Sequence, residues 1–239
     1  MKRPAPEQRL ADLMDAGVQV FIARGYRRAQ MDDVARIARV SKGTIYNYFE
    51  SKEALFYLIV DRGFGGGPMP SVDELPIRTP SLKRTVARLR QRIEAGGRLP
   101  ALDRALARRT VDDPRAELET IVREFYAMTA KTRRAADLIE RAAIDLPEFA
   151  DLFFRQNRRG LVDRLARYLE RRIALGMFKP LRDRRTAARL ILETVVFFAR
   201  HRHNVPDSSM INDTAAEETT VEFILNALLA APPTRASRR

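Results

Sequence analysis

Apolar residues recur at helical spacing along nearly the whole chain, and nowhere do they alternate over several neighbouring strands. That pattern confines the chain to an all-α fold. Leu10, Leu13, Met14, Gly17, Val18 and Phe21 make a stripe with a 3.6-residue period, and Gly25 follows at a C′-like stop. Asp113-Pro114 places an N-cap before a proline at the first helical position, which predicts a helix to about Thr132. Pro147 opens another, expected to run to about Leu175, where Gly176 stops it. About nine helices are expected.

Glycine and proline then divide the chain. The densest breaker cluster runs from Gly63 through Gly65-Gly66-Gly67-Pro68 to Pro80. It predicts an N-terminal domain over 1–64, a connecting loop over 65–77 and a larger helical domain over 78–231, with a frayed tail over 232–239. Cysteine is absent, which excludes a disulfide scaffold, a thiolate metal site and a cysteine nucleophile. The two histidines, His201 and His203, stand at i and i+2 and do not share a helix face. No metal site and no cofactor is therefore expected, and a cationic end to a helix dipole accounts for them better. There is no run of roughly 18 apolar residues and no apolar leader, so no membrane partner and a cytoplasmic location are expected.

The formal net charge of +13 invites a polyanion partner, but the excess is spread. Residues 1–64 hold 11 basic and 8 acidic side chains, while residues 78–141 hold 16 and 9. A nucleic-acid reading must therefore rest on a motif. One lies between Met31 and Phe49, and it reads as two short helices joined by a tight turn. Val34, Ala35 and Ala38 give the first an apolar face. Ile45, Tyr48 and Phe49 turn inward from the second, with Ser41 as its N-cap. The outward face is then Lys42, Gly43, Thr44, Tyr46 and Asn47, a set suited to phosphates and base edges in a major groove.

The stretch from Asp15 to Phe64 resembles the DNA-binding domain of the TetR/AcrR family of bacterial transcriptional regulators. The residues that carry the likeness are Phe21-Ile22-Ala23-Arg24-Gly25-Tyr26, Met31-Asp32-Asp33-Val34-Ala35, and Val40 through Leu55. The resemblance implies that Lys42, Gly43 and Thr44 reach base edges and phosphates. It implies backbone contacts for Tyr46 and Asn47, a phosphate contact for Lys52, and packing roles for Tyr26 and Phe49. The chain departs from the family pattern at two positions. Gln30 stands where a capping Thr or Ser is usual. Arg39 stands where Gly is usual, at a cost of about 1 kcal/mol if the turn is left-handed, and a phosphate contact by Arg39 would offset it.

Two late helices, around 185–203 and 216–230, are apolar over most of their circumference and predict a homodimer through a four-helix bundle. The resemblance implies the same arrangement. Leu118, Ile121, Val122, Phe125, Tyr126 and Met128, with Leu138, Ile139, Phe149, Leu152, Phe153 and Phe154, supply apolar surface for a pocket that would hold a small hydrophobic effector. The resulting expectation is a homodimeric regulator, in the main a repressor, of double-stranded DNA with palindromic sites, and not an enzyme. An alternative is a basic helical adaptor for a protein or an anionic membrane, using arginines such as Arg104 and Arg109.

Overall fold

The computed structural model describes residues 5–64, 69–207 and 210–230. The expected tail over 232–239 and Gly65 to Pro68 of the expected loop lie outside them. Among the described residues there are helices and isolated bridges but no strands. The α-helical segments are α1 (Pro6–Arg24), α2 (Met31–Ile37), α3 (Lys42–Tyr46), α4 (Lys52–Gly63), α5 (Leu82–Gly96), α6 (Pro100–Ala107), α7 (Pro114–Ala142), α8 (Pro147–Ala150), α9 (Arg159–Ala174), α10 (Arg184–Ala199) and α11 (Asp213–Leu228). A π-helical stretch, Asp151–Arg158, joins α8 to α9 in one continuous run, and short 3-10 turns lie at Val72–Glu74 and His201–Asn204.

Capping explains most of the helix starts. The side chains of Ser41, Ser51, Ser81, Asp113, Asp183 and Asn212 each accept an N–H from the first turn that follows. Asp113 opens α7 as expected, but the helix continues to Ala142 instead of ending near Thr132. No breaker intervenes, and Ala135, Ala136, Leu138 and Ile139 carry the buried stripe onward. Gln30 precedes α2 without a side-chain cap bond, in line with its poor capping chemistry.

The chain divides into two compact units, and each is discontinuous in sequence. The first comprises residues 1–98 and 132–157, the second 99–131 and 158–239. The compact body that holds the helix–turn–helix thus extends past the expected boundary at residue 64. The reason is that its core needs apolar groups from later in the chain. Phe56 of α4 meets Phe21 edge-on at 5.1 Å and stacks on Phe149 at 5.6 Å. Gly17 lets α1 approach α4 closely, since a Cβ there would stand 2.9 Å from both Leu55 and Ile59. Asp61 of α4 receives Arg88 and Arg92 of α5, each Nε donating at 2.6 Å. Burial pushes the Asp61 carboxyl up, but the bonds from Arg92 and Arg88 outweigh it and hold the pKa below the ordinary aspartate value.

In the second unit, arginine does much of the joining. The buried Arg172 of α9 donates to both carboxylate oxygens of Glu117 in α7 and to the Ala105 carbonyl at the end of α6. Arg202 is likewise buried and bonds the Phe198 and Ile211 carbonyls and Asp213, which ties the end of α10 to the start of α11. The cationic helix end expected there exists, but as a structural clasp. Leu118, Ile121, Val122, Phe125 and Tyr126 belong to this unit's core, whereas Leu138, Ile139, Phe149, Leu152 and Phe153 belong to the first unit's. The expected pocket residues therefore pack into two separate cores, because periodicity reports a buried face and not what covers it.

Candidate nucleic-acid interface

α1 ends at Gly25, whose backbone (φ 78°, ψ 167°) lies in a region open essentially to glycine alone. A Cβ there would also stand 3.0 Å from the Asp145 carboxylate. That same carboxylate accepts the Arg27 N–H at 2.9 Å and so holds the loop between α1 and α2. Asp33, in the first turn of α2, is buried and accepts from Arg24 at 2.6 Å and Arg36 at 2.5 Å. It fastens the end of α1 to the start of α2. The sequence reading missed this role, although an aspartate beside the inward-facing Val34 and Ala35 signals a buried carboxylate in need of cations.

The turn between α2 and α3 closes with the Val40 N–H on the Ala35 carbonyl at 2.9 Å and the Arg39 N–H on that of Arg36 at 3.2 Å. This pattern demands a left-handed residue, and Arg39 takes it at φ 54°. It is the only non-glycine residue with positive φ among those described. The guanidinium is exposed.

Ser41 caps α3, its Oγ accepting the Thr44 N–H at 3.2 Å and lying 2.8 Å from the Thr44 hydroxyl. Ile45 and Phe49 are fully buried, and Tyr48 is half-buried. That leaves Ser41, Lys42, Gly43, Tyr46 and Asn47 exposed on one face, with Tyr46 41% accessible and Thr44 at the margin. Lys42 pairs with Asp32 of α2 at 3.0 Å, and this hydrogen bond and charge raise the Lys42 pKa.

Lys52 differs from the exposed residues of the α3 face. Its ammonium donates to the carbonyls of Tyr26, Arg27 and Ala29 at 3.1, 3.0 and 3.4 Å, and lies 5.1 Å from the centre of the Tyr26 ring. All three of its donors are thus engaged in holding the loop before α2. Tyr26 packs against Phe56 at 4.9 Å, and burial, then the neighbouring Glu53, raises its hydroxyl pKa.

Residues 13–66 match the model of the bacterial regulatory proteins of the tetR family. The chain is 50% identical over 42 residues to the HTH-type transcriptional repressor DhaR of Mycobacterium sp. strain GP1, covering 18% of this chain and 21% of that protein. It is 35% identical over 89 residues to the HTH-type transcriptional activator FasR of Mycolicibacterium smegmatis, covering 37% of each. The matches thus span well under half the length of these curated relatives. A solved tetR-family regulatory protein from Rhodococcus RHA1 shares the fold, with a TM-score of 0.51 at 21% identity over 94% of this chain and 99% of that one. No helix among the described residues is long and apolar enough to cross a membrane. The N-terminal helix–turn–helix, residues 13–66, is thus a domain of the tetR family of bacterial regulatory proteins.

Proposed function

We propose that the protein is a homodimeric, effector-responsive regulator, in the main a repressor, that binds a palindromic site in double-stranded DNA. The observation that carries this reading is the exposed polar face of α3, set above a buried Ile45 and Phe49. Lys42, Gly43 and Thr44 lead that face into the major groove, while Tyr46 and Asn47 lie against the sugar–phosphate backbone. Ser41 and Arg39 flank it, and a phosphate contact by Arg39 would offset the cost of its left-handed backbone. Lys52 contributes to the interface through the loop that it holds.

Dimerisation is supported by the outer faces of α10 and α11. Leu190, Phe197 and Phe223 are 63%, 45% and 67% accessible on helices whose other sides are packed. Such a surface favours a second copy. Two recognition helices would then engage half-sites about one DNA turn apart, roughly 34–36 Å.

Effector binding belongs to the second unit in this reading. An open cleft of about 340 Å³ there is lined by Arg104, Arg108, Asp112, Asp113, Glu117 and Thr120, with small apolar residues such as Ala101 and Val111 among them. Its lining favours a polar or charged effector over the hydrophobic one the sequence suggests. An effector that prefers the DNA-incompetent conformation by ~100-fold, about 2.7 kcal/mol, would release the operator.

The test is selection of a duplex from a random pool by the full-length protein, followed by anisotropy titrations. The wild type is expected to bind the selected duplex with an affinity that falls steeply with salt. Lys42→Ala and Tyr46→Ala should each weaken it. Wild-type affinity in both variants would refute the assigned face.

A further inference from the structure

The chain between Met69 and Pro80 reads in the sequence as linker, yet it is bonded directly to the turn that follows α3. The Ile77 N–H donates to the Tyr48 carbonyl at 2.8 Å, and the Ile77 carbonyl accepts the Glu50 N–H at 3.0 Å. This makes a single parallel bridge centred on Phe49 and Ile77. Two residues on, the Thr79 N–H donates to the Glu50 carboxylate and the Thr79 hydroxyl to the Ser51 hydroxyl, both at 2.8 Å. Ser51 is itself the cap of α4. Ile77 also packs against the first unit's core.

We propose that residues 77–79 are a strap that positions the recognition helix for DNA, with Ile77 and Thr79 acting as positioning residues through the turn between α3 and α4. The proposal rests on the DNA-binding reading and deepens it. α3 has only five residues, so it cannot orient itself by its own length. Tyr46 and Asn47 come immediately before the tethered Tyr48, so any slack in that turn moves them. The far end of the strap is fixed too. Ser81 caps α5, and α5 is locked to α4 through Arg88, Arg92 and Asp61. The strap thus spans two anchored points and sets the angle at which α3 leaves the domain. A misplacement of about 1 Å at such a site is enough to impair function.

The test compares two double variants of equal charge. E50A/T79V removes the carboxylate acceptor and the hydroxyl, whereas E50Q/T79S keeps an oxygen acceptor and a hydroxyl at the same places. Each is titrated against the duplex the wild type selects and against a scrambled duplex, with thermal melts alongside. E50A/T79V is expected to bind the selected duplex roughly tenfold more weakly than E50Q/T79S. Scrambled-duplex affinity should agree within about twofold and the salt slope should be shared. Hydrogen exchange at the Ile77 and Glu50 amides should quicken in E50A/T79V only. Equal binding of the selected duplex by both variants would overturn the strap. So would a parallel loss on both duplexes with early melting, since that marks general fold support. A wild type that selects no duplex sinks the DNA reading, and the strap's role with it.

Discussion

The outer face of α3 and the outer faces of α10 and α11 are both open to solvent, and they differ in what solvent costs them. On α3 the open side chains are polar, and Lys42 already has Asp32 as a partner. Water suits that face, so the proposed engagement of DNA by it would be optional and governed by salt. On α10 and α11 the open side chains include Leu190, Phe197 and Phe223, and leaving them wet forgoes about 25 cal/mol for each Å² of apolar area. The contrast teaches that exposure by itself says little. A polar surface over a rigid core fits a partner that comes and goes, and an apolar one fits a partner that stays.

The contrast is broken most decisively from the apolar side. F197E/F223E is expected to weaken self-association by more than ~100-fold, as sedimentation would report, while the helical melt of the fold persists. Affinity for a full palindrome should fall with it, but affinity for a half-site should not. If F197E/F223E stays dimeric, α10 and α11 do not form the interface. On the polar side, Lys42→Ala should cost roughly tenfold in operator affinity and reduce the salt slope by about 1, measured by anisotropy across a salt series. Asp32→Asn should do the opposite, raising affinity about two- to threefold by freeing Lys42 and removing a negative charge. Arg39→Gly relieves a left-handed residue, and calorimetry should show Tm rising by about 1–3 °C. A fall in the salt slope in the same variant would reveal the phosphate contact.

A smaller effect concerns acid. Asp61 has a folded pKa below its ordinary value, so its stabilising contribution is full above the unfolded pKa of about 3.9 and is lost as pH falls through the folded pKa. Asp61→Asn should therefore flatten the acid limb of the stability curve below about pH 4, as acid titration by circular dichroism would detect.

Much of the first unit was legible because local chemistry dictated it. Ser41 at the start of α3, Gly25 at the end of α1 and the inward Ile45 and Phe49 follow from rules that act within a few residues. For Arg39 the resemblance offers only a condition, a cost if the turn is left-handed, and the fold meets that condition at φ 54°. What stayed hidden depends on distant partners. Nothing in the sequence register tells which way the Lys52 ammonium points, and it points at three carbonyls. The strap is one bridged residue with no period to detect. The burial of Arg172 needed Glu117, which lies 55 residues away. The split of the middle apolar residues between two cores likewise depends on tertiary packing alone.

The discontinuity of the first unit also bears on how the protein is made. Its core closes only when Phe149 reaches Phe56 and Asp145 reaches the backbone of Arg27. During synthesis, therefore, an emerging N-terminal segment of about 100 residues carries the helix–turn–helix before Asp145 and Phe149, which complete its packing, have been made. On the proposed DNA-binding reading, the full set of contacts that supports α3 can form only after some 157 residues are out, and not in the order in which the helices are written.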